Sequence, residues 1–187
     1  FWFLFFLLTW FILDWISKNF NSDSKNFAYV GRLHSKSMVL NLIEAFLSFN
    51  ELHSFQHKLY IVGDGDLAKE CRSIDLKNCI FLMGPIYNDL DLKSLFEKIY
   101  FSIYFGSVGL SVLTSFNHST PIIVKSGYWN QSPEYFFCNY DNSLFFDYRN
   151  RSYSSFTKTL NYSLEITFDQ YQQMCKSSHY SSLATDV

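Results

Sequence analysis

From residue 27 onward, short apolar runs closed by glycine or a turn alternate with longer segments whose apolar positions recur every three or four residues. The first rhythm is that of buried strands and the second that of amphipathic helices. "FAYVG" (27–31) predicts a strand, and "MVLNLIEAFLSF" (38–49) a helix with Val39, Leu42, Ile43, Phe46 and Phe49 on one face. "HKLYIVG" (57–63) is a second strand, followed by a short helix that Asp66 is placed to cap. "CIFLMG" (79–84) is a third strand, and "DLDLKSLFEKI" (89–99) a helix with acidic residues in its first turn, where they suit the dipole. "YFSIYF" (100–105) is a fourth strand. The stretch that follows, "GSVGLSVLTSFNHSTPIIV", reads as a glycine loop, a short helix through Leu110, Leu113, Phe116 and Asn117, and a fifth strand opened by Pro121. Ser132-Pro133-Glu134 has the form of a helix start. Beyond "SLFFDYRN" the pattern weakens: residues 151–176 suit one or two covering helices, and 177–187 a loose tail.

Strands that each lead into a helix imply an α/β fold, a Rossmann-like parallel sheet flanked by helices. In such a sheet the ligand site lies beyond the carboxyl ends of the strands. Gly31-Arg32, Gly63, Gly84 and the loop Gly106–Gly109 all fall at that edge. A helix start there offers unpaired N–H groups, and Arg32 adds a guanidinium able to grip a diphosphate with two bonds.

Composition narrows the class. Hydrophobic residues make up 48% of the 187, enough for a sizeable core, and a formal charge of −2 without a basic stripe argues against nucleic acid as partner. Cys71, Cys79, Cys138 and Cys175 are spaced for neither zinc nor a disulfide framework, so they read as reduced structural thiols, which suits a cytoplasmic setting. The chain does not begin with Met, which suggests a piece of a longer product. Residues 1–20, FWFLFFLLTWFILDWISKNF, form an apolar segment with thirteen residues before its first charge, short of a bilayer span. Two readings of it stay open: a remnant helix of a missing neighbouring domain, or contact with the cytoplasmic face of a membrane. Residues 21–26 read as a linker to a domain over 27–176.

"YVGRL", "LIEAF", "LYIVGDGD", "FLMGPIY", "GSVGLSVLTSF", "TPIIV" and "NQSPEY" occur in an order that resembles the C-terminal, nucleotide-sugar-binding half of GT-B retaining glycosyltransferases of the family 4 type. The likeness covers about residues 27–146 and is nearest to the subgroup with a P-G-N-V-G-L loop. It implies transfer of a sugar from a UDP- or GDP-sugar to a saccharide or lipid-linked acceptor, with retention and without metal or other cofactor. An N-terminal acceptor domain would be needed and is not in this sequence. The resemblance makes Arg32 and Lys36 the catalytic cations. Gly31 and the loop Gly106, Ser107, Val108, Gly109 and Leu110 would hold the donor diphosphate through backbone N–H groups. Gly84 to Tyr87 would line the base pocket, with Tyr87 stacking, and Thr114 and Glu134 would meet donor or acceptor hydroxyls.

Departures from the family pattern support an alternative, a degenerate non-catalytic nucleotide-binding or scaffold domain. The family lysine falls at Ser37, with Lys36 one place early; the two loop carboxylates of many members fall at Gly106, which is glycine in the P-G-N-V-G-L subgroup too, and at Thr114, where that subgroup has His. Glu134 also has a plain account as an acid in a first helical turn, and "DLD" (89–91) opens a helix rather than forming a metal site.

Overall fold

The computed structural model describes residues 14–54, 56–127 and 131–183. In chain order these form α1 (residues 14–21), β1 (Asn26–Val30), α2 (Val39–Glu51), β2 (Lys58–Val62), α3 (Ala68–Ser73), β3 (Ile80–Gly84), α4 (Asp89–Phe96), β4 (Phe101–Tyr104), α5 (Ser111–Asn117), β5 (Ile122–Lys125), β6 (Ser143–Phe146), α6 (Ser154–Glu165) and α7 (Phe168–Leu183). The strands join in one sheet of order β3-β2-β1-β4-β5-β6, and every pairing is parallel. This is the Rossmann order, and the direction of building reverses between β1 and β4, which opens a crevice at their carboxyl ends.

Alternation along the strands sorts side chains to the two faces. Phe27, Leu59 and Ile61 enter the larger core with Leu42, Ile43 and Phe46 of α2, while Ala28 and Val62 pack with Leu95 and Phe96 of α4 and with Ile99. α4 starts where the acidic turn predicts, at Asp89, because the Asn88 side chain accepts from the N–H groups of Leu90 and Asp91.

Several expectations need correction. The N-cap position of α3 is Leu67, not Asp66, and no side chain caps the helix. α5 turns Val112, Ser115 and Phe116 inward and leaves Leu110 71% exposed. The reason is polar: the Tyr104 phenol donates to the Ser111 carbonyl at 2.8 Å and meets Ser115 Oγ at 2.9 Å, which fixes the rotation of the helix. β6 was not foreseen; it adds to the far side of β5. The segment from 177 is no loose tail as far as Leu183, since α7 continues through it, buries Ser178 and Ser182, and receives a hydrogen bond from Asn142 at Ser181. Residues 184–187 lie outside the described residues, as do 1–13, the first part of the apolar segment.

The remaining turns of that segment dock on the domain. Ile16 is fully buried, Phe20 stacks on Tyr171 of α7, and Asn19 donates to the carbonyls of Glu97 and Ile99. In the expected linker, Lys25 is buried: its ammonium donates to the carbonyls of Asn19 and Phe20, closing α1, and lies 4.9 Å from the Tyr100 ring. Burial holds that ammonium below the usual lysine value. No helix among the described residues is long and apolar enough to cross a membrane.

Candidate functional site

The crevice is built by two loops, one after β1 and one after β4, and each is fixed by backbone hydrogen bonds to its neighbour. Gly31 N–H donates to the Val62 carbonyl and Leu33 N–H to that of Asp64, so the β1 loop is sewn to the β2 loop. At Gly63 a side chain is excluded: φ is +139° and a Cβ would stand 1.9 Å from the Gly31 carbonyl oxygen. The glycines at this edge therefore serve first to let backbone meet backbone.

Arg32 sits on this frame. Its carbonyl accepts the Tyr29 phenol at 3.0 Å, and burial pushes that phenol's pKa up to about 12, so the anchor stays protonated. The Arg32 side chain is exposed and meets no carboxylate among the described residues. A few residues on, a 3₁₀ turn (Ser35–Ser37) buries Ser37, whose Oγ donates to the His34 carbonyl at 2.6 Å, and leaves Lys36 exposed. The position that carries lysine in the resembling family thus faces inward here, and the neighbouring Lys36 is the cation at the surface. Behind the loop, the Lys125 ammonium lies 3.2 Å from Met38 Sδ, and burial holds it below the usual lysine value. Sequence reading passed over this cation at the end of β5.

The loop after β4 is less open than its sequence predicts. Ser107 N–H donates to the Lys36 carbonyl at 2.8 Å, and Val108 N–H to Gln131 Oε1 at 2.8 Å. These two amides are already spent. Gly106 presses against the β1 loop, where a Cβ would stand 2.1 Å from the Lys36 carbonyl oxygen. The amides of Gly109, Leu110 and Ser111 have no acceptor among the described residues, and the space beside Gly109 is clear to Ser132 Oγ at 3.8 Å. The donors the loop can offer an anion are therefore those at 109–111, one step later than the whole loop Gly106–Leu110. Gln131, the clamp on Val108, was also not foreseen; its signal is the Gln of "NQSPEY".

Thr114 lies one turn into α5, with Oγ1 donating to the Leu110 carbonyl at 3.3 Å. Glu134 belongs to a 3₁₀ turn (Pro133–Phe137) in contact with α5, and its Oε2 is closed off from solvent with no donor among the described residues. Tyr87 is 89% exposed, beyond Gly84, whose φ is +70° with nothing near the place of a Cβ. Between the β2 and β3 loops lies a cleft with about 100 Å³ of room, lined by Ile61, Leu82, Gly84 and Pro85 and by Asp64 and Arg72. Tyr87 stands outside its lining. No cluster of three potential metal ligands occurs among the described residues.

No protein-family model matches the sequence, and no curated protein matches it either. Solved structures do match in shape. The C-terminal domain of a group 1 glycosyl transferase, LpcC of Francisella tularensis, superposes with a TM-score of 0.64 at 12% identity, over 87% of this chain and 86% of that one. The fold is that of a GT-B glycosyltransferase C-terminal domain. Two further GT-B structures agree. The catalytic domain of cholesterol-α-glucosyltransferase from Helicobacter pylori gives 0.68 at 15% identity, over 86% of this chain and 98% of that one. S. aureus TarM, crystallised with fondaparinux, α-GlcNAc-glycerol and UDP, gives 0.71 at 13% identity, over 87% of this chain and 32% of TarM. The GT-B half thus spans about a third of TarM.

Proposed function

We propose that this GT-B half binds the diphosphate of a nucleotide-activated sugar at the crevice between β1 and β4, as the donor side of a glycosyltransferase. The observation that carries the reading is the pairing of unspent backbone N–H groups at Gly109 and Leu110 with an exposed Arg32 that has no carboxylate partner among the described residues. Oriented N–H groups and a planar guanidinium are suited to a pyrophosphate. When the bond from sugar to diphosphate breaks, charge grows on the leaving phosphate, and fixed donors that face it there lower the barrier. Lys36 adds a second exposed cation beside the same loop. The anomeric carbon would meet a saccharide or lipid-linked acceptor presented by a second domain, with retention of configuration, and Glu134 would take a hydroxyl of donor or acceptor. The UDP bound in TarM is consistent with a uridine donor.

A second reading has an observation of its own. Where many members of the family place a carboxylate, though not the P-G-N-V-G-L subgroup, Gly106 is sealed against the Lys36 backbone and admits no side chain. A domain that binds nucleotide without transferring sugar fits that fact. A thermal-shift panel with UDP, GDP, ADP and their sugars tests the donor site: melting rises for at least one diphosphate, and the rise is lost in Arg32→Ala. A flat response to every nucleotide removes the donor-site reading. Binding without turnover, even when an acceptor domain is supplied, selects the non-catalytic one.

A further inference from the structure

One side chain from the segment after β5 reaches across to the loop after β4 and holds it at two points. The primary amide of Gln131 accepts the Val108 N–H through Oε1 at 2.8 Å and donates through Nε2 to the Gly106 carbonyl at 3.5 Å. That carbonyl shares a planar peptide unit with the Ser107 N–H, which is itself bonded to the Lys36 carbonyl. The unit is thus gripped at both ends, and the next one at its Val108 N–H. The Val108 side chain is buried, which pins the residue from a third side. Only the two soft dihedrals of Val108 lie between these held units and the Gly109 N–H, the first amide of the loop without an acceptor among the described residues. Gln131 therefore sets where the unspent amides point, while its own Oε1 is spent on the loop.

We infer that Gln131 is a positioning residue: it orders the loop after β4 in advance, so that the Gly109 and Leu110 amides meet a diphosphate without first having to be arranged. This rests on the donor-site reading above and adds to it a residue that acts only through the loop. A loop that must be ordered as its ligand arrives gives up part of the binding free energy to lost backbone freedom. For one residue that is roughly a five- to thirtyfold loss of affinity. The same bonds fix how the segment after Gln131 stands to the seat: Ser132 Oγ is the nearest atom to the place of a Gly109 Cβ, at 3.8 Å, and Glu134 follows in the 3₁₀ turn.

The test joins amide hydrogen exchange, read by NMR, to calorimetric titration with UDP and GDP. Gln131→Met, of similar length but with neither donor nor acceptor, speeds exchange at Val108 and weakens the nucleotide that the wild type binds by roughly five- to thirtyfold, while the unliganded variant stays folded. Gln131→Glu keeps the acceptor for Val108 but at neutral pH sets an oxygen against the Gly106 carbonyl. Protonation of that carboxyl restores a donor, so the affinity of Gln131→Glu relative to wild type recovers as pH falls from about 7 to about 5, which a loss of packing alone would not produce. In the wild type, added nucleotide leaves the Val108 signal nearly still. The inference falls while the donor site stands if Gln131→Met binds within about twofold of wild type, if it binds more weakly with Val108 exchange unchanged, or if the nucleotide shifts Val108 as far as Gly109. Should Gln131→Met not fold, the pH response of Gln131→Glu decides, and no recovery overturns the inference. If the wild type binds neither nucleotide, the donor-site reading itself fails and the inference with it.

Discussion

At Gly106 one added methyl group would press on the Lys36 carbonyl from 2.1 Å, and the loop has little freedom to yield because Ser107 N–H is bonded to that same carbonyl. Gly106→Ala is therefore expected to cost about 1 to 3 kcal/mol, the usual range for overpacking, read as a lower denaturant midpoint with an unchanged slope. Arg32 is the contrasting residue: exposed, and without a carboxylate partner among the described residues. Arg32→Ala leaves stability within about 0.5 kcal/mol of wild type while weakening nucleoside diphosphates. A large fall in melting temperature of the unliganded variant would show that the arginine holds the fold instead. Gly63 and Gly106 were legible as glycines at the carboxyl edge of the sheet, but not as glycines that close one backbone upon another, because sequence alone does not say which loop lies behind.

The turn from α2 to β2 depends on one histidine. His57 is buried, its Nδ1 accepts the Lys25 N–H at 3.2 Å, and Asn50 brackets its backbone, donating to the carbonyl and accepting from the N–H. Burial, with the nearby His53 and Lys25, lowers its pKa to about 4. The unfolded chain takes up this proton as pH falls through about 6.5, whereas the folded one resists until about 4. Stability is therefore lost progressively between those values, by at most about 3 kcal/mol, and His57→Asn flattens that part of the profile. An unchanged slope in the variant would assign the acid sensitivity elsewhere. At the same amino edge of the sheet, the Tyr171 phenol donates to the Tyr100 carbonyl at 2.9 Å in a fully buried place. Tyr171→Phe leaves that bond unmade and costs roughly 1 kcal/mol, measured by denaturation. Strands β1 to β5 were legible because each is a compact apolar run closed by a turn. β6 was not, since "SLFF" alternates no better than the loops beside it. The last turns of α7 were missed for a related reason: their buried positions are serines, Ser178 and Ser182, which satisfy themselves on the carbonyls of Met174 and His179 and so leave no apolar stripe to read.

On the scale of the whole molecule, a parallel sheet of order β3-β2-β1-β4-β5-β6 places its crevice where β1 and β4 diverge, and the cations Arg32 and Lys36 stand on the loop at that point. The resemblance read from the sequence led to the right fold, while the detail of the proposed anion seat needed coordinates, because two of the loop's amides are consumed by Lys36 and Gln131. Since the chain spans only about a third of TarM, it is expected to bind a donor nucleotide without carrying sugar to an acceptor by itself. Turnover of a nucleotide sugar onto a saccharide by this chain alone would overturn that expectation. The most direct measurement is an amide-resolved NMR titration with UDP and GDP. The N–H signals of Gly109 and Leu110 are expected to move with the nucleotide while those of Ser107 and Val108 hold nearly still, and Arg32→Ala is expected to abolish the movement. Signals at 109 and 110 that stay fixed while the nucleotide binds elsewhere would contradict it.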